Sequence, residues 1–404
     1  MTMHNTTAAA SLAPSAVIER AQLAFAFETV KLATEKRNSD PILATARITG
    51  DGTSAIVTAT DCDMEISVTI PGAVDSRLAM CLDVHKFADL LKKAPAADMV
   101  ALSQPGAGSP AANGDPTFDG KATADFERVT YKLPAIHPCN WPPLQAPDAS
   151  TSARLDIPGA VARDSFAAVA GAISTEETRY YLNGVYMHRP DNGVGRASPL
   201  TLVATDGHRL YRQTVAAGDV LQNPDSFLPG VILPRKLVAI LGKLWKGKAC
   251  PESVTFTVAE NRVAIEWGAV RIVSKVIDGT FPEYQRVIPA HNGNVARISG
   301  AALTEGVKAV ATISDDKGRA VRCTWDAGTV ALVTQSPDNG SAHTDVACTY
   351  DGDPIEIGFN NRYLVDLVAV AGEAVSVAMG DAGSPALITG DRDGWTGVLM
   401  PVRV

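Results

Sequence analysis

The stretch ILPRKLVAILGKLW (residues 232–245) decides the fold, because the chain repeats its pattern twice more, as LDVHKFADLLKKAP (82–95) and GFNNRYLVDLVAVAG (358–372). Each copy opens on an extended apolar or aromatic residue, passes a basic one and settles into the apolar spacing of a short helix. A second amphipathic helix stands ahead of each. Leu23, Phe27 and Val30 fall at i, i+4, i+7; Phe166, Val169 and Ile173 at i, i+3, i+7; Leu303, Val307 and Val310 at i, i+4, i+7. Each set marks one buried stripe. Between the two helices run strand-like alternations: AIVTATDCDMEISVTI (55–70), TLVATDGHRLYRQTV (201–215), and VALVTQ (330–335) with DVACTY (345–350). More strands follow the second helix: DFERVTYKLP (125–134), RVAIEWGAVRIVSKVI (262–277) and WTGVLMPVRV (395–404). Helix, strands, helix, strands thus occurs three times, with a period near one third of the chain. This is domain triplication; solenoids repeat every roughly 20–50 residues.

The 404 residues exceed what one core usually holds, and 46% apolar residues are enough to fill several. With 20% charged residues the composition is neither disordered nor coiled-coil. Pro-rich HPCNWPPLQAPDAS (137–150) and VIPAHNGN (287–294) read as linkers, which sets an N-terminal domain at 1–148, a central one at 149–290 and a C-terminal one at 291–404. SQPGAGSPAANGDP (103–116) and HRPDNGVGRASP (188–199) read as loops inside the first two domains. Six cysteines, at 62, 81, 139, 250, 323 and 348, form no C-x-x-C pair and read as reduced thiols of a cytoplasmic protein. No Lys or Arg precedes Arg20, Pro14 interrupts the only apolar stretch before it, and no run reaches roughly 18 apolar residues; neither a signal peptide nor a membrane span is expected. The sequons at Asn5 and Asn339 then carry nothing. A net charge of −8 confines any nucleic-acid surface to one face.

Motifs sharpen this reading. TRYYLNGV (178–185), TLVATDGHRL (201–210), LPRK (233–236), FPEYQRVIP (281–289), EIGFNNRYLVDL (356–367) and VLMPVRV (398–404) occur in this order, with weaker signals in RNSDPIL (37–43), ATDCDMEI (59–66) and VHKFADLL (84–91). In these segments the sequence resembles the bacterial DNA polymerase III beta subunit family, the replicative sliding clamps. The resemblance spans nearly the whole chain. It implies an α+β fold of three repeated clamp domains, each with two helices packed on antiparallel sheets. Two chains would join head to tail into a ring of six domains, helices lining the pore. Such a homodimer would encircle double-stranded DNA without reading its sequence, and phosphate contacts from Lys and Arg suit sliding. No cofactor and no metal are implied.

The pore helices carry Arg20, Lys31, Lys36, Arg37, Lys86, Lys92 and Lys93 in the first domain, Arg163, Arg235, Lys236, Lys243, Lys246 and Lys248 in the second, and Lys308 and Arg362 in the third. On any solvated helix face such charge is also ordinary. By resemblance, Arg37 and the run Arg179-Tyr180-Tyr181 match positions that touch DNA, the tyrosines offering a hydroxyl and a stacking face. The resemblance also implies a pocket for short linear peptides of the polymerase III alpha subunit, the clamp loader and repair proteins. Its positions are Leu182, Thr205, Gly207, His208, Arg209, Leu210, Pro282, Arg286, Val287, Asn360, Tyr363, Val398, Met400, Pro401, Val402 and Arg403. Apolar members would take a Leu or Phe anchor, worth roughly 1.5–3 kcal/mol when buried. Arg and His at the edge would bond peptide carbonyls, and Gly207 would admit the backbone. Pro385 and Gly383 stand where the family commonly has a polar and an apolar residue, and Val404 where Leu is usual. The subunit interface would join an edge strand around Asp125–Lys132 to the third domain near Thr312 and Ile313, with Phe126, Val129 and Ile313 as apolar contacts; Thr312 and Arg128 stand where apolar residues are usual.

Other readings have less support. Asp206 with His208 resembles half of a catalytic pair, but no G-x-S-x-G turn exists and no second histidine follows at metal spacing. Gly106–Ala111 matches G-x-G-x-x-A, yet Pro110 and its loop do not open a helix after a strand. No Walker A motif is present, so a ring would need a separate loader. A non-encircling peptide-binding scaffold, or an accessory clamp of a plasmid or phage, remains open.

Overall fold

The structure, a computed structural model, describes residues 13–35, 38–95, 97–104, 120–190, 198–216, 218, 220–222, 228–290, 292–314 and 319–404. Six α-helices lie among them: α1 (Arg20–Val30), α2 (Val84–Lys93), α3 (Gly159–Ala170), α4 (Arg235–Leu244), α5 (Gly300–Ala311) and α6 (Asn361–Ala371). They pair as α1 with α2, α3 with α4 and α5 with α6, one pair per repeat. The apolar stripes face inward as their spacing requires. Leu23, Phe27, Val30, Leu303, Val307 and Val310 are buried. In the central repeat Phe166 and Val169 are buried, while Ile173 falls past the end of α3 and is half-buried. Each repeat also begins with a strand that the sequence reading lacked: Ser15–Glu19, Ala153–Pro158 and Asn294–Ser299.

The chain divides into two compact units. The first holds residues 1–148, 255–257 and 262–275. Its sheet runs in the order 262–267, 270–275, 64–71, 54–60, 45–50, 79–83, 130–136, 121–125, 99–103, 15–19, 73–74. Two strands of the central third thus belong to this unit, and Val270–Ser274 pair antiparallel with Val68–Met64. The second unit holds the rest of the central repeat and the whole C-terminal one. Its nine-stranded sheet runs 231–234, 184–188, 201–205, 209–214, 395–399, 386–389, 374–379, 294–299, 349–350. Here Arg209–Gln213 pair antiparallel with Leu399–Trp395. A four-stranded sheet orders 340–347, 329–336, 320–326, 355–360.

Two glycines let the second unit's helices start close to a neighbouring chain segment. A Cβ on Gly159 would lie 1.9 Å from the Pro251 oxygen, and one on Gly300 would lie 2.3 Å from the Gly372 oxygen. These neighbours are backbone and cannot rotate aside. Gly300→Ala is therefore expected to cost about 1–3 kcal/mol in urea unfolding; an unchanged midpoint would mean the strand and helix slide apart freely.

Candidate functional site

The second unit gathers most of the expected residues around the turn 205–209. Thr205 donates from Oγ1 to the Arg209 oxygen at 2.7 Å and accepts from the Gly207 N–H at 3.2 Å. Asp206 Oδ1 accepts from the His208 and Arg209 amides, both at 3.0 Å. Gly207 has φ +88°, a region that favours glycine. The Asp206 carboxylate thus serves its own turn.

Arg209 differs from the expectation that it bonds peptide carbonyls. Its side chain is only 10% exposed. Nε donates to Asp206 at 3.1 Å, and Nη1 donates to the Tyr211 hydroxyl at 3.2 Å and to Asp366 on α6 at 2.8 Å. The guanidinium also lies 4.3 Å from the centre of the Tyr363 ring. Arg209 is a strut between a central-repeat strand and a C-terminal helix. His208 is exposed, nearly parallel to Tyr363 at 6.2 Å, and its carbonyl accepts from the Met400 N–H at 2.9 Å. Asn360 caps α6, accepting from the amides of Arg362 and Tyr363. This fixes Tyr363 rather than lining a pocket.

Beneath the turn, Leu182, Leu210 and Val398 join one buried cluster with Val203, Ile232, Phe281 and Tyr284. Tyr181, Tyr186, Ile277, Ile288 and Leu387 pack against it. Phe281 and Tyr284 lay inside the quoted FPEYQRVIP; Val203 and Ile232 read as ordinary strand residues. Pro282, Arg286 and Val287 are exposed on and beside the 3-10 turn Tyr284–Val287, and Arg286 pairs with Glu283 at 2.5 Å. Met400, Val402 and Arg403 are exposed and Pro401 half-buried. The Val402 amide donates to the Gly358 oxygen at 2.8 Å, and a Cβ on Gly358 would meet Val404 at 2.4 Å. The segments that carry this buried apolar cluster also carry exposed apolar residues, Val287, Met400 and Val402, and the polar turn 205–209.

The expected nucleic-acid residues divide. The 3-10 segment Glu177–Leu182 carries Arg179, Tyr180 and Tyr181 and ends on Leu182 in the cluster. Tyr180 is 54% exposed, with its ring edge-on to Tyr181 at 5.8 Å. Arg179 pairs with Glu176 at 3.4 Å, and its Nη1 would lie 2.7 Å from a Cβ on Gly207. Arg235 and Lys236 open α4 and are exposed. With Tyr180, Asn183 and Ile277 they line an open hollow of about 570 Å³. Lys86 lies in the first unit, 3.1 Å from Asp83, and lines an apolar hollow of about 330 Å³ with Leu90, Leu133, Pro134 and Ile136. Lys36, Arg37 and the Gly106–Ala111 motif lie outside the described residues.

One interface expectation is corrected. Phe126 is fully buried, its ring edge-on to Tyr131 at 5.6 Å with the Arg20 guanidinium 6.0 Å away, so its side chain is not a surface contact. Val129 and Ile313 are half-buried. Thr312 is exposed and bonds the Ala309 oxygen at 2.8 Å.

Comparison with known proteins decides the family. The N-terminal, central and C-terminal domains of the DNA polymerase III beta subunit match residues 15–110, 156–283 and 285–403. The chain belongs to the DNA polymerase III beta subunit family. It is a beta sliding clamp, a processivity factor and not an enzyme. The beta sliding clamp of Caulobacter vibrioides is 34% identical over 398 residues, covering 96% of this chain and 99% of its own. Solved structures agree. The clamp of Bartonella birtlesii, bound to griselimycin, has a TM-score of 0.85 at 32% identity and covers 97% of this chain and 100% of its own. A Caulobacter crescentus clamp has a TM-score of 0.85 at 34% identity, covering 96% and 100%. Among the described residues no helix is long and apolar enough to cross a membrane.

A buried histidine of the clamp is bonded to the cluster through Tyr284. His188 Nε2 lies 3.0 Å from the Tyr284 hydroxyl, and burial pushes the imidazole down from 6.5 to about 4. In the unfolded chain it protonates near 6.5. This contribution to stability is therefore complete above about pH 6.5 and is lost as pH falls toward 4. His188→Leu is expected to flatten that part of the stability profile in urea titrations; an unchanged slope would mean His188 is solvated.

Proposed function

We propose that the clamp closes with a second copy, head to tail, into a ring around double-stranded DNA. One observation carries this reading. Two repeat-to-repeat joints inside the chain follow one rule: the third strand after a repeat's first helix pairs with the last strand of the next repeat. Strand 64–71 takes 270–275, and strand 209–214 takes 395–399. By the same rule the third strand of the last repeat, 340–347, would take the last strand of the first, 130–136. Among the described residues both have an open side. Strand 340–347 ends its sheet, and 130–136 pairs outward only through Ala135 and Ile136. A second copy satisfies both edges, whose open amides and carbonyls are otherwise a liability. Asn339, one residue before strand 340–347, donates to the Ile313 oxygen at 3.2 Å, which puts Thr312 and Ile313 beside this edge. Val129 precedes the other edge. The hollow at Lys86 and Leu90 lies against it, so Lys86 belongs with this joint as much as with DNA.

In this reading Arg179, Tyr180, Tyr181, Arg235 and Lys236 face DNA through phosphate and stacking contacts that carry no sequence information. The floor of Leu182, Leu210 and Val398, with the rim of Pro282, Val287 and Met400, takes peptides of the polymerase III alpha subunit, the clamp loader and repair proteins. Tyr363 and His208 form its aromatic side. A few apolar anchors support roughly micromolar affinity, which suits exchanging partners. The domain limits 1–148, 149–290 and 291–404 and a cytoplasmic location belong to the same proposal.

Light scattering should give a mass near twice 42.3 kDa that survives micromolar dilution. Ile313→Asp should reduce it to one chain; an intact dimer in that variant would move the interface elsewhere. The wild type should be retained in a salt-sensitive way on circular but not linear DNA. Equal retention on both would favour a non-encircling scaffold. Deleting Met400–Val404 should abolish peptide binding and leave the mass unchanged; loss of the dimer would make the tail structural.

A further inference from the structure

Pro282, Arg286 and Val287 are exposed, and none reaches the core to fix its own position. Their segment is held by Phe281 and Tyr284, both buried. What holds those two is strand 184–188. Tyr186 and His188, two residues apart, share one face of it. Tyr186 stacks on Phe281 with centroids 4.8 Å apart and planes 8° apart, and on His188 at 4.3 Å. Tyr284 presents its edge to His188 at 5.6 Å and to Phe281 at 6.4 Å. The stack is closed by the bond between His188 Nε2 and the Tyr284 hydroxyl at 3.0 Å.

We infer that His188 and Tyr284 are a positioning pair for the peptide pocket. Ring stacking alone would let the 281–288 segment slide along the face of the strand, because stacked rings tolerate offsets. A hydrogen bond fixes direction and distance as well. It sets the rim before a peptide arrives, so the peptide does not spend binding energy on ordering it. The inference rests on the reading of this cluster as a peptide pocket.

The test uses the full-length chain and a fluorescein-labelled peptide with Leu and Phe anchors, read by anisotropy, with urea midpoints and retention on circular DNA measured in parallel. Tyr284→Phe removes one hydroxyl and keeps the ring. His188→Leu removes the partner at similar size, and His188→Gln restores a side chain able to bond the hydroxyl. Each of the first two is expected to weaken the peptide about three- to tenfold, as loss of one buried hydrogen bond would. The double variant should be no weaker than either single, because both remove the same bond. His188→Gln should recover most of the affinity, and DNA retention should not change. Wild-type affinity in Tyr284→Phe and His188→Leu would overturn the inference. So would losses that add in full in the double variant, or that His188→Gln fails to recover while stability is restored. If His188→Leu does not fold, Tyr284→Phe against His188→Gln still decides. A wild type that does not bind the peptide defeats the pocket reading, and the inference with it.

Discussion

The antiparallel pairing of strand 209–214 with strand 395–399 is the constraint on which the second unit depends. It sets Leu210 opposite Val398, and both enter one buried cluster. Burying each is worth roughly 1.5–3 kcal/mol. The same register lets the Met400 amide reach the His208 carbonyl. It leaves Arg209 facing Asp366 and puts Trp395 edge-on to Tyr211, with the indole N–H bonded to the Ala168 oxygen at 3.0 Å. A slip of strand 395–399 by one residue would turn Val398 away from Leu210 and break these bonds at once. Floor, turn and tail are thus consequences of one register.

Positive charge on the helices is less available than the sequence suggests. Arg20 donates to the oxygens of Leu91, Ala94 and Pro95 at the end of α2, at 2.6–3.0 Å. There it neutralises orphan carbonyls and the negative end of a helix dipole. In the other two repeats the start of the first helix is Gly159 or Gly300, which instead admits backbone directly. The same position has two solutions, and one consumes a cation. Glu28 pairs with both Lys31 and Lys92. Arg209 is likewise spent internally. Around α4, by contrast, Arg235, Lys236, Lys243, Lys246 and Lys248 are all exposed. A net charge of −8 is compatible with a locally basic surface of this kind, although exposed cations such as Lys121, Arg154, Arg297 and Lys308 also stand elsewhere.

Much of the fold was legible because it repeats. Three apolar stripes at helical spacing agree with one another, and agreement across copies is stronger than any single window. The opening strands SAVIE, ARLDIP and NVARIS were not legible: each runs straight into a helix, so the alternation is too short to stand apart. Nor was the partner of strand 270–275. Strand pairing is chosen by edges far away in sequence, and no local pattern marks Val68 as the neighbour of Val270. The candidate site divides the same way. Asp206, Gly207 and Arg209 announce a special turn by their types. Val203 and Ile232 do not, because residues of a buried apolar cluster are of the same types wherever in the core they stand. Phe126 was misplaced for the related reason that an aromatic beside an edge strand reads equally as surface contact or core.

The 3-10 segment 177–182 ties the two faces of this unit together. Tyr180 is exposed beside Arg235 and Lys236, and two residues later Leu182 is part of the buried floor. Tyr181 stands between, packed on that floor and edge-on to Tyr180. Arg179, at the other end, has non-helical angles, φ −111° and ψ 50°, and leans to where a side chain on residue 207 would be. Gly207 meets the demand of its own turn, a positive φ, and the nearby guanidinium is the far end of a half-exposed side chain that can move aside. Any residue with a Cβ there would strain the turn that carries His208. Six consecutive residues serve surface and core at once, so neither face can be reshaped without moving the other.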